Sequence, residues 1–207
     1  MTSEEWESLR NDLADAGVAG DEDLGRFVSN VEFFQASTFD EKAAMPILIK
    51  ALPSLSDPAL VSAVAGHLRR PWARPAAFNV LLDAFRRWAA RNPTVGWQLG
   101  DALGNAAVID CLDDLLGVCE NARYGTTRQM PVAALARFRR SPLVPPALLR
   151  LIYDPDVGLH AMSALRRVLG PAEALPHIEA VEHERSGTRL GEQAARQAKK
   201  IRKSVGS

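Results

Sequence analysis

Apolar residues recur along this chain with two periods at once. Within one segment they fall every three or four residues, as in Val157, Ala161, Ala164, Leu165 and Val168, at i, i+4, i+7, i+8 and i+11. That spacing lays an apolar stripe along a helix and differs from the alternation of a strand. Over longer range an adjacent pair of positions returns at intervals of 35, 32, 30 and 33 residues: His67-Leu68, Ala102-Leu103, Ala134-Leu135, Ala164-Leu165 and Gln197-Ala198. Three residues before each pair stand Val64, Leu99, Pro131, Ala161 and Ala194, and three after it Pro71, Ala106, Phe138, Val168 and Ile201. A period of this size marks stacked helical units that bury a core only against their neighbours. His67 and Pro71 break the apolar slots of the first unit. Pro131 either kinks the third or marks a helix that starts late, because proline removes a backbone donor.

The pattern predicts paired helices over 40–52 with 57–69, 74–91 with 94–104, 107–121 with 127–138, 142–153 with 156–169, and 172–184 with 188–203. The breaks hold Pro53, Pro71, Pro93, Gly125, Pro155, Gly170 and Gly187, where turn and stop signals belong. Two further helices, Ser3 to Ala16 and Asp21 to Phe34, read as an N-terminal cap. Ser3 starts the first, Trp6, Leu9 and Leu13 stripe it, and the acidic run at Asp21 suits the second helix's N-terminus.

The segment Asp154 to Gly170, DPDVGLHAMSALRRVLG, resembles a HEAT repeat in the short bacterial form also found in phycobilin lyases. The resemblance extends over about residues 40–203 and implies an all-α fold, a right-handed α-α superhelix (a HEAT-like solenoid). The N-terminal helical cap then covers residues 1–38, about five helix pairs 39–203 and a frayed tail 204–207, in one continuous domain. In that family the second helix of each pair lines the concave face, so polar positions beside the stripe become candidate contacts. These are His160, Ser163 and Arg167 in the fourth pair and Gln193, Arg196 and Lys200 in the fifth. In the third they are Met130, Ala133 and Arg137. The family's common Arg just after the first apolar slot is kept as Arg128 and replaced by Gly158 one repeat on. Arg128, Arg137, His160, Arg167, Arg196 and Lys200 therefore form a candidate basic stripe on the concave face.

Charge sharpens this picture. The net charge is zero, but residues 1–120 carry 18 acidic and 10 basic side chains, and residues 121–207 carry 7 and 15. The basic half is either simply solvated or a polar partner surface. A second surface candidate is RRPWARP, residues 69–75, where Trp72 stands among Arg69, Arg70 and Arg74. Trp with Arg is the composition of interface hot spots and of nucleic-acid stacking sites. Alternatively Trp72 folds back over the junction between two helix layers. Trp88 and Trp97, flanking NPTVG, are expected to pack.

Catalytic motifs are missing: no phosphate loop, no nucleophile elbow, no HExxH and no Cys/His cluster. His177 and His183 fall on different helix faces, so no metal site is expected, and no cofactor or small-molecule site is evident. Asp110, Asp113 and Asp114 read as the solvated side of a helix. Cys111 and Cys119 lie about 12 Å of helical rise apart, too far for a disulfide. No apolar run approaches the ~20 residues that cross a bilayer, and the acidic start is no secretory leader. A reduced, cytoplasmic protein without a membrane partner is expected.

The sequence thus points to a non-catalytic HEAT-like scaffold that binds a protein on its concave face. The alternative is nucleic-acid binding, perhaps resembling the HEAT-like alkylpurine DNA glycosylases, although no Asp can be carried over from them residue by residue.

Overall fold

The computed structural model describes residues 4–18 and 40–205, in two compact units that divide between Val108 and Ile109. Among the described residues the structure is all helix and turn, with no strand. The second cap helix, expected at Asp21 to Phe34, lies outside them.

Unit 1 holds α1 (Glu4–Asp15), α2 (Glu41–Ala51), α3 (Pro58–Leu68), α4 (Phe78–Trp88) and α5 (Pro93–Ala106). Side-chain caps set the starts. Asp40 accepts from the Lys42 and Ala43 amides at 3.0 Å, and Asp57 accepts from Ala59 at 2.7 Å. Asn92 accepts from Val95 at 3.2 Å. Pro58 and Pro93 open α3 and α5 at the position where a missing N–H costs nothing. α1 buries Trp6, Leu9 and Leu13. Its Glu5 carboxylate accepts from the amides of Ser56 at 3.0 Å and Asp57 at 3.1 Å, orphan donors just ahead of α3. These bonds, led by the Ser56 hydroxyl, hold the Glu5 carboxyl below the usual carboxylate range. α4 begins at Phe78 and not at Arg74, because Pro71 and Pro75 hold the preceding chain in a 3-10 turn (Pro71–Ala73) and bends.

Unit 2 holds α6 (Leu112–Glu120), α7 (Gln129–Ala134), α8 (Val144–Leu151), α9 (Gly158–Leu169), α10 (Pro171–Glu184) and α11 (Arg189–Val205). The third pair departs most from expectation. Its second helix is regular only in α7, between 3-10 segments Ala122–Arg128 and Leu135–Phe138. Pro131 sits in the first turn of α7, where no intrahelical donor is lost, so it marks a late start.

The repeat register is buried at most of its slots. Leu68, Leu103, Leu135, Leu165 and Ala198 are all shielded from solvent, as are Val64, Leu99, Pro131, Ala161 and Ala194 four residues earlier. Ala134 and Gln197, the first members of their pairs, are half-buried, and Pro71 is exposed. Val157, Ala161 and Leu165 are core; Arg167 is exposed, while His160 and Ser163 are half-buried. Val168, expected in the core, is only half-buried, because it stands in the last turn of α9, where the stripe runs out of neighbours.

Helices pack on their sequence neighbours and on the helix two places on. In unit 1, α5 packs against both α3 and α4; in unit 2, α9 packs against α7, α8, α10 and α11. Second helices thus lie against second helices, the layering of an α-helical repeat. Polar links keep the same period. Arg70 bonds Glu41 across 29 residues, Arg69 bonds Asp101 across 32, Arg150 bonds Glu120 across 30 and Tyr153 bonds Glu184 across 31.

One slot shows how adjacent helices are spaced. Arg128, Gly158 and Gly191 are equivalent by the repeat, and each meets the C-terminal end of the preceding helix. A Cβ at Gly158 would lie 2.8 Å from the Ile152 carbonyl oxygen, and one at Gly191 2.2 Å from that of Arg185. There the backbones touch. At Arg128 they stand apart, and the guanidinium fills the gap by donating to the Cys119 carbonyl at 3.0 Å.

Candidate interaction surface

The C-terminal end of α3 builds a local site because Pro71 stops the helix immediately after two arginines. Arg69 turns toward α5 and donates to Asp101 at 3.1 Å; Asp101, nearly buried, also accepts from Asn105 at 3.0 Å. Arg70 turns toward α2 and donates to Glu41 through Nε at 3.3 Å and Nη2 at 3.0 Å. Arg74 donates to the Asn105 backbone carbonyl in the last turn of α5, a position favourable for a cation. Ala73 is buried beneath the turn and anchors it.

Trp72 stands over this frame at 38% exposure, and so does not close over the helix junction. The Lys42 ammonium lies 5.7 Å from its ring centroid and the Arg70 guanidinium 5.9 Å, both within cation–π range. Because Glu41 fixes Arg70, the ring is held by a pre-oriented cation. Trp97, expected to pack, is equally exposed, on the α5 face that carries Asp101 and Asn105 one and two turns later. Trp72 and Trp97 are the large exposed apolar side chains among the described residues of unit 1.

His67, one turn before Arg70, is buried, and burial, with a smaller contribution from the Arg70 charge, lowers its pKa to about 4. The unfolded chain takes up a proton below about pH 6.5, whereas the folded one resists until about pH 4. Stability is therefore full above pH 6.5 and falls as the pH drops through that window. Between pH 7 and 4.5 this one group costs about 2.5 kcal/mol. His67→Leu should remove that loss, so urea midpoints of the variant and the parent should diverge on acidification. Equal acid sensitivity would show that the imidazole is hydrated in the folded chain.

The candidate basic stripe divides. Arg137, Arg167, Arg196 and Lys200 are exposed; Arg137 lies over its neighbour Phe138 with 5.5 Å to the centroid, and Arg196 pairs with Glu192 at 3.7 Å. His160 is half-buried, and burial lowers its pKa. Arg128 is no surface residue at all. It is 1% exposed, and its donors are spent on the carbonyls of Gly125 and Cys119 and on both oxygens of Asp154, at 3.0–3.2 Å. It belongs to the interior because the 3-10 segment before α7 turns its side chain inward.

The chain matches no family model, no curated protein and no solved structure. Among the described residues no group of three or more His, Cys, Asp or Glu is arranged to hold a metal ion. No helix among them is long and apolar enough to cross a membrane. The buried Cys119 thiol has its pKa pushed up by burial, which suppresses the reactive thiolate. Glu41, Lys42, Asp101 and Asn105 were not among the expected site residues. Glu41 and Asp101 lie one repeat from Arg70 and Arg69, and opposite charges at the repeat period are the signal that finds them.

Proposed function

We propose that the chain is a HEAT-type helical-repeat module that binds another protein, with the Trp72 platform as a principal contact. The observation that carries this reading is the exposed Trp72 ring with the Lys42 and Arg70 cations both within cation–π distance of it. Trp and Arg are among the residue types enriched at the hot spots that dominate protein interfaces. The balance of unit 1, 14 acidic against 10 basic side chains, disfavours a polyanion. The HEAT-type assignment is supported by the buried register and by second helices lying on second helices. In that reading Arg137, Arg167, Arg196 and Lys200, on successive second-helix segments of unit 2, are candidate contacts of their own.

Partner capture with the intact chain and with Trp72→Ala tests the proposal, followed by reassembly from purified components. Truncating the anchor should weaken the reassembled complex by about thirtyfold or more, as at interface hot spots. Undiminished affinity in a folded Trp72→Ala chain would remove the platform from the interface. A complex lost on nuclease treatment would favour the second reading, nucleic-acid binding by unit 2, which carries 15 basic against 11 acidic side chains. Its signature is affinity that falls steeply with salt.

A further inference from the structure

Unit 2 carries an exposed apolar surface of its own. Its large exposed hydrophobic side chains among the described residues are Ile109, 60% exposed, and Leu143, 51% exposed. Ile109 lines a hollow, and Leu143 is close to that hollow's residues in sequence. Ile109, Arg137, Phe138, Arg139, Arg140 and Ser141 line this hollow of about 440 Å³, and Leu143 follows two residues after Ser141. Phe138 forms a buried floor, while the three arginines are exposed. Neither Arg139 nor Arg140 is ion-paired with a described residue, and no acidic side chain among the described residues lines the hollow.

We propose that this hollow docks an acidic peptide segment of a partner protein, with one apolar side chain seated against Ile109 and Phe138 and its carboxylates paired by Arg139 and Arg140. Guanidinium groups recognise carboxylates in a bidentate fork. Exposed aliphatic area gives such a peptide an anchor that charge alone lacks. A nucleic-acid strand fits less well. The Phe138 ring is buried and already has the Arg137 guanidinium over it, so no base can stack there. Asp110, Asp113 and Asp114 are exposed close to Ile109 in sequence and repel a continuous phosphate backbone. A peptide with a few spaced carboxylates can avoid them. The proposal stands on its own residues, and loss of the Trp72 reading leaves it untouched.

The test uses the purified full chain and a fluorescein-labelled peptide of glutamates carrying two leucines, read by anisotropy. A peptide with serines for the leucines and a short DNA duplex serve as competing probes. The leucine peptide should bind saturably. Arg139→Glu with Arg140→Glu should weaken it by about tenfold, as two attractions at the rim become repulsions. Ile109→Ser should bring the leucine peptide down to the level of the serine peptide. The methyl resonances of Ile109 and Leu143 should shift on titration of the parent chain. If circular dichroism shows that the reversed variant is unfolded, Arg139→Gln with Arg140→Gln is read in its place. The proposal is overturned if the leucine peptide does not saturate, if it binds no better than the serine peptide, or if the charge variants bind it normally. Tighter binding of the duplex, lost in the same variants, would make the surface a phosphate site instead.

Discussion

Arg128→Ala should lower the stability of the chain by about 3–5 kcal/mol, the cost typical of removing one partner of a buried ion pair. The guanidinium satisfies the carbonyls of Gly125 and Cys119 and both Asp154 oxygens, all in unit 2, and is almost sealed from water. Its loss leaves those acceptors short of a donor and opens a cavity. Asp154 is also tied to the amides of Asp156 at 2.8 Å and Val157 at 3.3 Å, so the entry to α9 depends on the same carboxylate. Arg128→Lys should recover part of the loss, since a single ammonium cannot reach every acceptor of a planar fork. By contrast, Arg167→Ala, on an exposed side chain, should stay within about 0.5 kcal/mol. Urea unfolding followed by circular dichroism measures all three. A loss for Arg128→Ala no larger than that for Arg167→Ala would mean that water reaches the guanidinium.

Leu165→Ala should cost about 2–5 kcal/mol through lost burial and the cavity left behind. Leu165 is fully buried at the centre of α9, the helix on which α7, α8, α10 and α11 converge. Ser163→Ala, two residues away on the half-buried side, should change stability by less than about 1 kcal/mol. Equal losses in the same denaturation measurement would mean that the stripe of α9 is rotated from the register described above.

The helices were legible where their boundary chemistry is local. Asp57 with Pro58 opens α3 and Pro71 closes it, all within the few residues that set a helix end. The main core slots are legible because a repeat forces the same stripe to recur; His67 is buried in its slot, whereas Pro71 is exposed and Ala134, Val168 and Gln197 are half-buried. The polar positions were harder to read. A sequence shows Arg128 on the flank of a stripe, but its burial is decided by Asp154, 26 residues later, and by the 3-10 segment that precedes α7. The cations beside Trp72 likewise come from Lys42 and from Arg70 bound to Glu41, about one repeat earlier. Hydrophobicity alone predicts packing for Trp97, since it does not say which side of a helix is left uncovered. The hollow beside Arg139 went unseen for the same reason: Ile109 and the RFRR segment are distant in sequence and meet only in the folded unit.

The unequal slot shared by Arg128, Gly158 and Gly191 bears on how such a chain can change its length. Because Arg128 needs the Asp154 carboxylate of the following pair, while Gly158 and Gly191 need a carbonyl pressed directly against them, the pairs of unit 2 are not interchangeable parts. Duplicating the third pair would strand a guanidinium without its acid. Placing it where the fourth stands would set an arginine side chain against the Leu190 side chain, which lies 2.6 Å from where a Cβ of residue 158 would be. Growth or loss of repeats in this unit therefore requires compensating changes on both sides of each junction.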